Sequence, residues 1–343
     1  MPRELRNPPN RFASTEREYD EGATPLAELT PIEEHAKSIL SENDSPDVGF
    51  RFSINPYRGC YHGCAYCYAR PSHQYLGYGA GTDFDRKIVV KVNAPELLRE
   101  AFAKRSWQGE TIAFSGNTDC YQPLEAKYAL TRQLLEICLE HRNPVGVITK
   151  GSVIRRDLEL LSKLAREARC RVTMSIAFAD DATGRAIEPW ASPISKRFET
   201  LRMLADAGIA CGVSLAPVIP GLNDSQIPEI LERARDAGAS HAFIVLLRLP
   251  SEVLPVFDER LREAVPMRHG KVMNAIREMR AGKMYESAFG QRQVGHGERW
   301  KLIQQLFDMH MKRLGLDRRS SAMDLEGDEP TTFRRPERQM TLF

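Results

Sequence analysis

The feature of this 343-residue chain that most constrains its fold is a regular alternation of short β-branched runs with longer amphipathic stretches. Each amphipathic stretch has helical periodicity. This alternation predicts a parallel sheet with right-handed crossovers, either doubly wound or closed into a complete or partial barrel. The strand-like runs lie near 51–55 and at 111–115, 145–149, 171–178, 209–218 and 241–249, with 87–92 as a candidate added strand.

Composition limits the class of protein. Hydrophobic residues make up 42% and charged residues 27%, as in ordinary globular proteins, and the net charge of +2 means that any basic surface must be local. The sequence has no apolar run near the roughly 20 residues of a membrane span, and its N-terminus lacks the apolar region of a signal peptide. We therefore expect a cytoplasmic protein with reduced cysteines, in which a tight cysteine group binds metal.

The chain divides into four regions by its patterning. The first, 1–45, is rich in charged residues and proline without a sustained period, which predicts a mostly irregular arm. The others are a core barrel at 46–255, a helical extension at 256–316 with helical patterns at 267–282 and 297–314, and a charged flexible tail at 317–343 that ends in "QMTLF".

Polar segments follow the ends of several predicted strands. "SGNTD" comes after the second run, "TKG" after the third and "PVIPGLND" after the fifth, and a cysteine-rich loop follows the first. In both doubly wound and barrel folds, ligands bind at the carboxyl ends of the parallel strands. All candidate chemistry is therefore expected on one face.

Three of the seven cysteines, Cys60, Cys64 and Cys67, lie within eight positions in that loop. A structural zinc ion needs four ligands, and the nearest fourth candidate, His62, lies between the first two cysteines. A fully ligated 4Fe-4S cluster takes four cysteines, so three leave one iron open for a substrate or cofactor. The spacing favours a cluster with an open iron, and zinc stays an alternative.

The spacing Cys-x3-Cys-x2-Cys, with the aromatic Tyr66 before the last cysteine, resembles the signature of the radical S-adenosylmethionine (radical SAM) superfamily. The resemblance implies a partial (β/α)6 TIM-like barrel and two cofactors, a 4Fe-4S cluster and S-adenosyl-L-methionine bound to the open iron. It also implies reductive cleavage of S-adenosylmethionine to a 5′-deoxyadenosyl radical that abstracts hydrogen from a substrate. A protein such as flavodoxin or ferredoxin would supply the electron.

The resemblance also implies a set of cofactor contacts. The family usually carries a Gly-Gly-Glu-like motif after the second strand, where this chain has an Asn-Thr-Asp turn that could simply cap the next helix. A lysine that ends the third strand would pair with the cofactor carboxylate, unless it is a solvated surface residue. The implied cofactor-binding residues are Tyr66, Tyr68, Asn117, Thr118, Asp119, Lys150, Ser175 and Arg197, with Glu188 as a further polar contact.

Within the superfamily, "CAYCYAR" and the Asn-Thr-Asp turn resemble the spore photoproduct lyase branch, whose enzyme reverses a thymine dimer in DNA. That lyase has a hydrogen-donor cysteine just before the turn, where this chain has Gly116. Cys120 would substitute as the donor, with Tyr121 behind it, or Cys120 is a plain helix-entry residue. We therefore expect a relative of this branch rather than the lyase itself.

The C-terminal pentapeptide "QMTLF" is similar to the peptides by which bacterial repair and replication proteins bind the DNA sliding clamp. Met340, Leu342 and Phe343 would enter apolar pockets of the clamp and Gln339 would anchor the peptide by polar contacts. Alternatively, the tail folds back onto the domain.

Three hypotheses for function follow. The first is a radical SAM enzyme acting on nucleic acid, as a DNA-lesion lyase tethered to the sliding clamp. The second is a radical SAM enzyme that modifies a protein, peptide or small metabolite. The third is a non-catalytic iron–sulfur or metal-binding protein.

Overall fold

Strands and helices alternate along the chain of the computed structural model, which describes residues 6–12, 28–318 and 330–335. The strands are β1 Thr30–Glu34, β2 Leu40–Glu42, β3 Phe52–Ile54, β4 Tyr57–Arg58, β5 Lys87–Lys91, β6 Ile112–Phe114, β7 Val145–Thr149, β8 Cys170–Ser175, β9 Ala210–Val218, β10 His241–Leu246 and β11 Asp317–Arg318. The helices are α1 Thr82–Arg86, α2 Ala94–Ala103, α3 Glu125–Tyr128, α4 Leu130–Glu140, α5 Leu158–Glu167, α6 Asp181–Ile187, α7 Ile194–Asp206, α8 Ile227–Asp236, α9 Val253–Ala264, α10 Pro266–Met279 and α11 Gly297–Leu314.

The main sheet has the order β11-β10-β9-β8-β7-β6-β3-β2. Its six central strands, β3 and β6 to β10, are parallel and adjacent in chain order, so each crossover leads to the next position. β2 pairs antiparallel with β3 at one edge and β11 pairs parallel with β10 at the other. Within the described residues these two edges do not pair, which gives the predicted α/β fold of a partial (β/α)6 barrel.

Burial explains why the six runs are readable in the sequence. β6 is buried along its whole length and β7 and β9 are buried at nearly every position, as expected for strands covered on both faces. Helices cover the outside, where α2 packs on α4, α4 on α5, and α7 and α8 on β9. The apolar side chains of strands and helices form one main core.

A second, three-stranded sheet of order β1-β5-β4 lies beside the barrel. β5 confirms the added strand expected at 87–92. β1 and β2 fall within the arm expected to be mostly irregular, and they form because β1 pairs in parallel with β5, with Thr30 opposite Lys87, and β2 pairs with β3. Pairing with a distant segment leaves no local period in the sequence.

The helices expected after the barrel are present as α10 and α11. The structure adds α9, which the sequence analysis did not single out. Pro255 lies in the first turn of α9, where a missing N–H costs no intrahelical hydrogen bond. α9 spans residue 255, where the sequence analysis places the end of the core barrel. The proposed division of the chain into four regions stays a prediction. No helix in the described ranges is both long and apolar enough to cross a membrane.

Part of the predicted flexible tail packs on the barrel. The ring of Phe333 lies 5.5 Å from that of Phe102 and 6.2 Å from that of His141, between centroids. The guanidinium of Arg335 donates to the carbonyls of Lys104 and Trp107 at 3.1 and 3.0 Å. The tail is therefore anchored at 330–335, and "QMTLF" lies outside the described residues.

Candidate cluster and cofactor site

The three cysteines lie on a buried loop that follows β3 and β4. Cys60 and Cys64 are each 7% exposed and Cys67 is half-buried. The Cys67 N–H donates to the Cys64 carbonyl at 3.2 Å and closes a turn between the last two cysteines. Gly59 has a φ of +80°, and a Cβ there would lie 2.9 Å from the Phe84 carbonyl oxygen, so the entry to the loop requires glycine.

Burial dominates the electrostatics of these thiols. It raises the pKa of all three, and that of Cys64 reaches about 12. Nearby cations act in the opposite direction, Lys150 on Cys64 and Arg70 on Cys67. Without a metal the thiols are therefore protonated near neutral pH, and metal binding would displace their protons.

The donor geometry bears on the choice between zinc and a cluster. Among the residues that the structure describes, no three His, Cys, Asp or Glu side chains converge to hold one metal ion. A zinc ion needs its ligands within about 2.3 Å of a single point. In an iron–sulfur cluster the thiolates bind the irons of an extended cofactor. The loop is therefore compatible with a cluster, and a zinc ion stays an alternative.

Arg70, which the sequence analysis did not single out, holds the cysteine loop in place. Its side chain is fully buried and donates to the Cys64 carbonyl from Nε at 3.0 Å and from an Nη at 2.9 Å. Its other Nη donates to the carbonyls of Ala80 and Gly81 at 2.9 Å each. Asp85 completes the set with carboxylate oxygens at 2.9 and 3.2 Å. One guanidinium therefore joins the loop to the segment before α1.

Asp119, from the Asn-Thr-Asp turn, is bound by donors of the protein itself. Its carboxylate accepts from Thr149 Oγ1 at 2.6 Å, the Lys150 N–H at 2.7 Å and the Tyr121 N–H at 2.9 Å. His62 Nδ1 lies 3.4 Å from the same group. Burial tends to raise the pKa of Asp119, but His62 and these hydrogen bonds lower it to about 2. Asp119 thus ties the turn to the end of β7, and its contact with the cofactor stays a prediction.

The two preceding residues of the turn are fixed against the segment 55–57, which directly follows β3. Asn55 Oδ1 accepts the N–H groups of Asn117 and Thr118 at 2.8 and 3.3 Å. The buried Thr118 hydroxyl donates to the Tyr57 carbonyl at 2.6 Å. The Asn117 side chain is half-buried and reaches Ser72 Oγ at 3.4 Å. The turn therefore has a set shape beside the cysteine loop.

Lys150 meets a buried network on the other side of the cysteines. Tyr66 and Arg197 both donate to the carboxylate of Glu188, and Lys150 Nζ lies 5.7 Å from the centroid of the Tyr66 ring. Burial tends to lower the pKa of Lys150, but Cys64 and Glu188 raise it above its ordinary value. Lys150 forms no ion pair with any other residue that the structure describes. It is therefore a charged group without a fixed anionic partner.

Two serines lie side by side on adjacent parallel strands. Ser175 of β8 is in register with Ser214 of β9, and the Ser175 hydroxyl is 3.5 Å from the Ala216 carbonyl. Arg197 donates to the Ser175 carbonyl at 3.0 Å. The Ser214 hydroxyl is buried and has no hydrogen-bond partner within the described part of the chain. Because a buried hydroxyl without a partner is costly, Ser214 is a candidate ligand contact that the sequence did not indicate.

The predicted hydrogen donors lie toward the helices. Cys120 and Tyr121 are fully buried, and the Cys120 carbonyl accepts from Thr131 of α4 at 2.6 Å. The Tyr121 hydroxyl donates to Asp157 at 3.1 Å. Neither side chain is open to solvent. Their role as donors stays a prediction, and the contacts that are present tie them to α4 and to the start of α5.

Tyr68 is the exposed member of the predicted set. Its side chain is 47% exposed, and its hydroxyl donates to the Gly116 carbonyl at 2.9 Å. The guanidinium of Arg248 lies 5.5 Å from the centroid of its ring. A Cβ at Gly116 would lie 2.7 Å from Ser53 Cβ, so a cysteine there would displace Ser53. Position 116 therefore has no room for a side chain unless Ser53 moves.

A family profile of the radical SAM superfamily matches residues 54–234, which hold the cysteine loop and four of the six parallel strands, β6 to β9. The chain belongs to the radical SAM superfamily. An uncharacterised protein of Mycobacterium tuberculosis is 38% identical over 216 residues, covering 62% of this chain and 64% of that one. A radical SAM Nalpha-GlyT isomerase of Pseudomonas phage M6 is 27% identical over 210 residues, covering 61% and 42%. The chain thus spans less than two thirds of the length of these two relatives.

Among solved structures, the radical SAM fold of this chain is similar to that of spore photoproduct lyase complexed with a dinucleoside spore photoproduct. The TM-score is 0.59 at 15% identity, covering 84% of this chain and 81% of the lyase. At this level of identity the likeness concerns the fold.

The residues present fit the two cofactors that radical SAM membership implies, an iron–sulfur cluster and S-adenosylmethionine. Three free cysteines on one loop supply thiolates. Lys150 offers a cation to a carboxylate, and the unpartnered hydroxyl of Ser214 offers a polar contact. The donor set is therefore suited to a cluster with a zwitterionic ligand beside it.

Proposed function

We propose that this protein is a radical SAM enzyme that acts on a nucleic acid. Cys60, Cys64 and Cys67 would hold a 4Fe-4S cluster through three of its irons. When bound, the cluster and S-adenosylmethionine supply reductive cleavage to a 5′-deoxyadenosyl radical, which abstracts hydrogen from the substrate. The observation that carries the proposal is a buried three-cysteine loop with an unpaired lysine next to it, inside the segment that matches the family.

The residues around the loop would hold S-adenosylmethionine in a defined orientation. Lys150 would pair with the carboxylate of its methionine part, because Lys150 is charged and forms no ion pair with another described residue. The hydroxyls of Ser175 and Ser214 would donate to or accept from its polar groups. Glu188 would act indirectly and not as a contact of the cofactor, since its carboxylate already accepts hydrogen bonds from Tyr66 and Arg197. Its part is to keep Tyr66 oriented beside Lys150.

Two observations support a nucleic acid as the substrate. Spore photoproduct lyase, which this chain resembles in fold, was solved with a dinucleoside photoproduct. The exposed ring of Tyr68, with Arg248 over it, is the pairing of an aromatic surface and a cation that binds bases and phosphates. The proposed tether to the sliding clamp adds a route to DNA. In the sequence its peptide, 339–343, begins four residues after Arg335, and Arg335 belongs to the segment anchored on the barrel.

The experiment that tests the proposal is anaerobic reconstitution with iron and sulfide, followed by dithionite and S-adenosylmethionine. The expected result is 5′-deoxyadenosine from the native protein and none from a variant with Cys60, Cys64 and Cys67 all changed to alanine. Ultraviolet-irradiated DNA, undamaged DNA and a peptide mixture are then compared as additives. Stimulation by DNA over peptides supports the substrate class, stimulation by peptides alone contradicts it, and absence of deoxyadenosine contradicts the enzyme proposal.

A further inference from the structure

A buried glutamine lies between the cysteine loop and the segment that follows the Asn-Thr-Asp turn. Gln122 is fully buried and comes three residues after Asp119. Its Oε1 accepts the N–H of Tyr61 at 2.9 Å, and its Nε2 donates to the carbonyl of Gly59 at 3.2 Å. These two peptide groups flank Cys60 in the chain. One amide side chain therefore holds the backbone on both sides of the first cysteine.

The peptide groups of Cys60 itself have other partners. Its N–H donates to the Phe84 carbonyl at 3.0 Å, and its carbonyl accepts from the Gly63 N–H at 3.3 Å. Gln122 supplies the contacts one peptide further out on each side. Because each of these four backbone groups has a partner, the main chain around Cys60 has one defined path.

The following peptide group acts on the sulfur. The N–H of His62 forms a hydrogen bond with the Cys60 side chain. Burial raises the pKa of Cys60, and this hydrogen bond acts in the opposite direction because it favours the thiolate. The His62 carbonyl accepts from the Trp190 N–H at 3.2 Å. The peptide between Cys60 and Tyr61, held by Gln122, therefore connects the sulfur-bearing residue to its N–H donor.

We propose that Gln122 is a positioning residue for the first cluster cysteine, and that it sets the hydrogen bond between the His62 N–H and the Cys60 sulfur. The inference rests on the proposed function, since it concerns the cluster that the cysteine loop would hold. A hydrogen bond to a cysteine sulfur stabilises the reduced, more negative state of an iron–sulfur cluster and so raises its reduction potential. Gln122 would act through the backbone of the loop and not as a ligand.

The competing role for Gln122 is a structural brace of the segment before α3. Its N–H lies 3.4 Å from the Asp119 carbonyl oxygen, and its carbonyl accepts from the Glu125 N–H at 2.9 Å. Those contacts are made by the backbone, whereas both side-chain contacts go to the cysteine loop. A substitution at 122 that keeps the backbone path therefore leaves the hydrogen bonds of the segment and removes those to the loop.

The test compares two changes of this side chain with a control. Gln122→Met keeps the length of the side chain and removes both hydrogen bonds, and Gln122→Asn keeps the amide but withdraws it by one methylene. Asn143→Leu is the matched control, since Asn143 is another fully buried amide, which accepts from Trp107 Nε1 at 3.0 Å and donates to the carbonyls of Glu110 and Pro144. It lies just before β7, at the amino end of the strands and away from the cysteine loop.

Two measurements report on the loop. Hydrogen exchange followed by mass spectrometry reports on the amides of 58–64 in the apo protein, and a redox titration followed by electron paramagnetic resonance reports on the reconstituted cluster. We expect the Tyr61 amide to exchange at least about tenfold faster in Gln122→Met, because it loses its acceptor. At a fixed potential, the ratio of reduced to oxidised cluster should fall at least about threefold. Gln122→Asn should shift both quantities in the same direction by less, and Asn143→Leu should leave both at native values while it lowers stability.

Native exchange and a native potential in Gln122→Met would overturn the inference. Faster exchange with a native potential would also overturn it, since that result describes a brace without effect on the cluster. An equal shift of potential in Asn143→Leu would overturn it too, because the loss of any buried amide would then suffice. If Gln122→Met does not fold, Gln122→Asn decides between the same outcomes. If the native protein assembles no cluster, the proposed function fails by itself, and native exchange in the apo variants would overturn the positioning role independently.

Discussion

Replacing Arg70 with methionine is expected to destabilise the protein and to impair cluster assembly. The side chain is fully buried, and its guanidinium donates to three carbonyls and to the carboxylate of Asp85. Methionine fills a similar volume and donates no hydrogen bond. It would leave a buried carboxylate and three buried carbonyl oxygens without these donors.

The magnitude follows from the buried pair. Removing one partner of a buried ion pair costs about 3–5 kcal/mol, because the remaining charge is left uncompensated. The carbonyls would add to this cost to the extent that water does not reach them. At roughly 2–4 °C of melting temperature per kcal/mol for domains of 150–250 residues, and less for longer chains, we expect the apo protein to melt roughly 5–15 °C lower.

The assay combines denaturant unfolding of the apo protein with iron content after anaerobic reconstitution. Arg70→Met should lose stability and bind less iron even at temperatures where it stays folded, because the Cys64 carbonyl is no longer held. Arg99→Met is the matched control, since Arg99 and Glu140 form an ion pair with side chains 54% and 55% exposed. Its effect should stay within about 0.5 kcal/mol. Native stability and iron content in Arg70→Met would refute the reasoning.

Four further predictions concern the remaining parts of the site and tail. Lys150→Gln should weaken S-adenosylmethionine binding at least about tenfold in equilibrium dialysis while iron content stays native, and unchanged affinity would contradict its role. Glu188→Gln should cost about 3–5 kcal/mol in denaturant unfolding because it leaves the buried Arg197 without a carboxylate, and a loss below 1 kcal/mol would contradict this. Burial lowers the pKa of His73 to about 4, so between about pH 6.5 and 4 the unfolded chain binds more protons than the folded protein, and stability should fall as the pH drops. His73→Phe should reduce this dependence of the denaturation midpoint on pH, and the same dependence in the variant would refute the assignment. Deletion of 339–343 should abolish capture by the sliding clamp in a pull-down, and equal capture would remove the tether.

The fold could be predicted from the sequence where burial leaves a local pattern. β6, β7 and β9 are buried at nearly every position, so each is an apolar run that interrupts helical periodicity. β1 has no such pattern, because it exists through pairing with β5 across more than fifty residues. α9 was missed because Pro255 resembles a helix breaker until its place in the first turn is known.

The site was predictable only where residue type and spacing carry the chemistry. Three cysteines at short spacing indicate metal binding in any fold. Arg70 is one of 48 lysines and arginines, and nothing local distinguishes a buried arginine from a solvated one. Its place three residues after Cys67, just before Pro71, is the one signal that could have drawn attention to it. Ser214 lies in a continuous apolar strand, and its unpartnered hydroxyl is visible only in three dimensions.

The central claim is that three cysteines leave one iron open for S-adenosylmethionine. The most direct measurement is the electron paramagnetic resonance spectrum of the reconstituted, dithionite-reduced protein before and after addition of S-adenosylmethionine. The account predicts a reduced 4Fe-4S signal that shifts on addition, and a smaller shift in Lys150→Gln at the same concentration. A 4Fe-4S signal that S-adenosylmethionine leaves unchanged at saturating concentration would contradict the account.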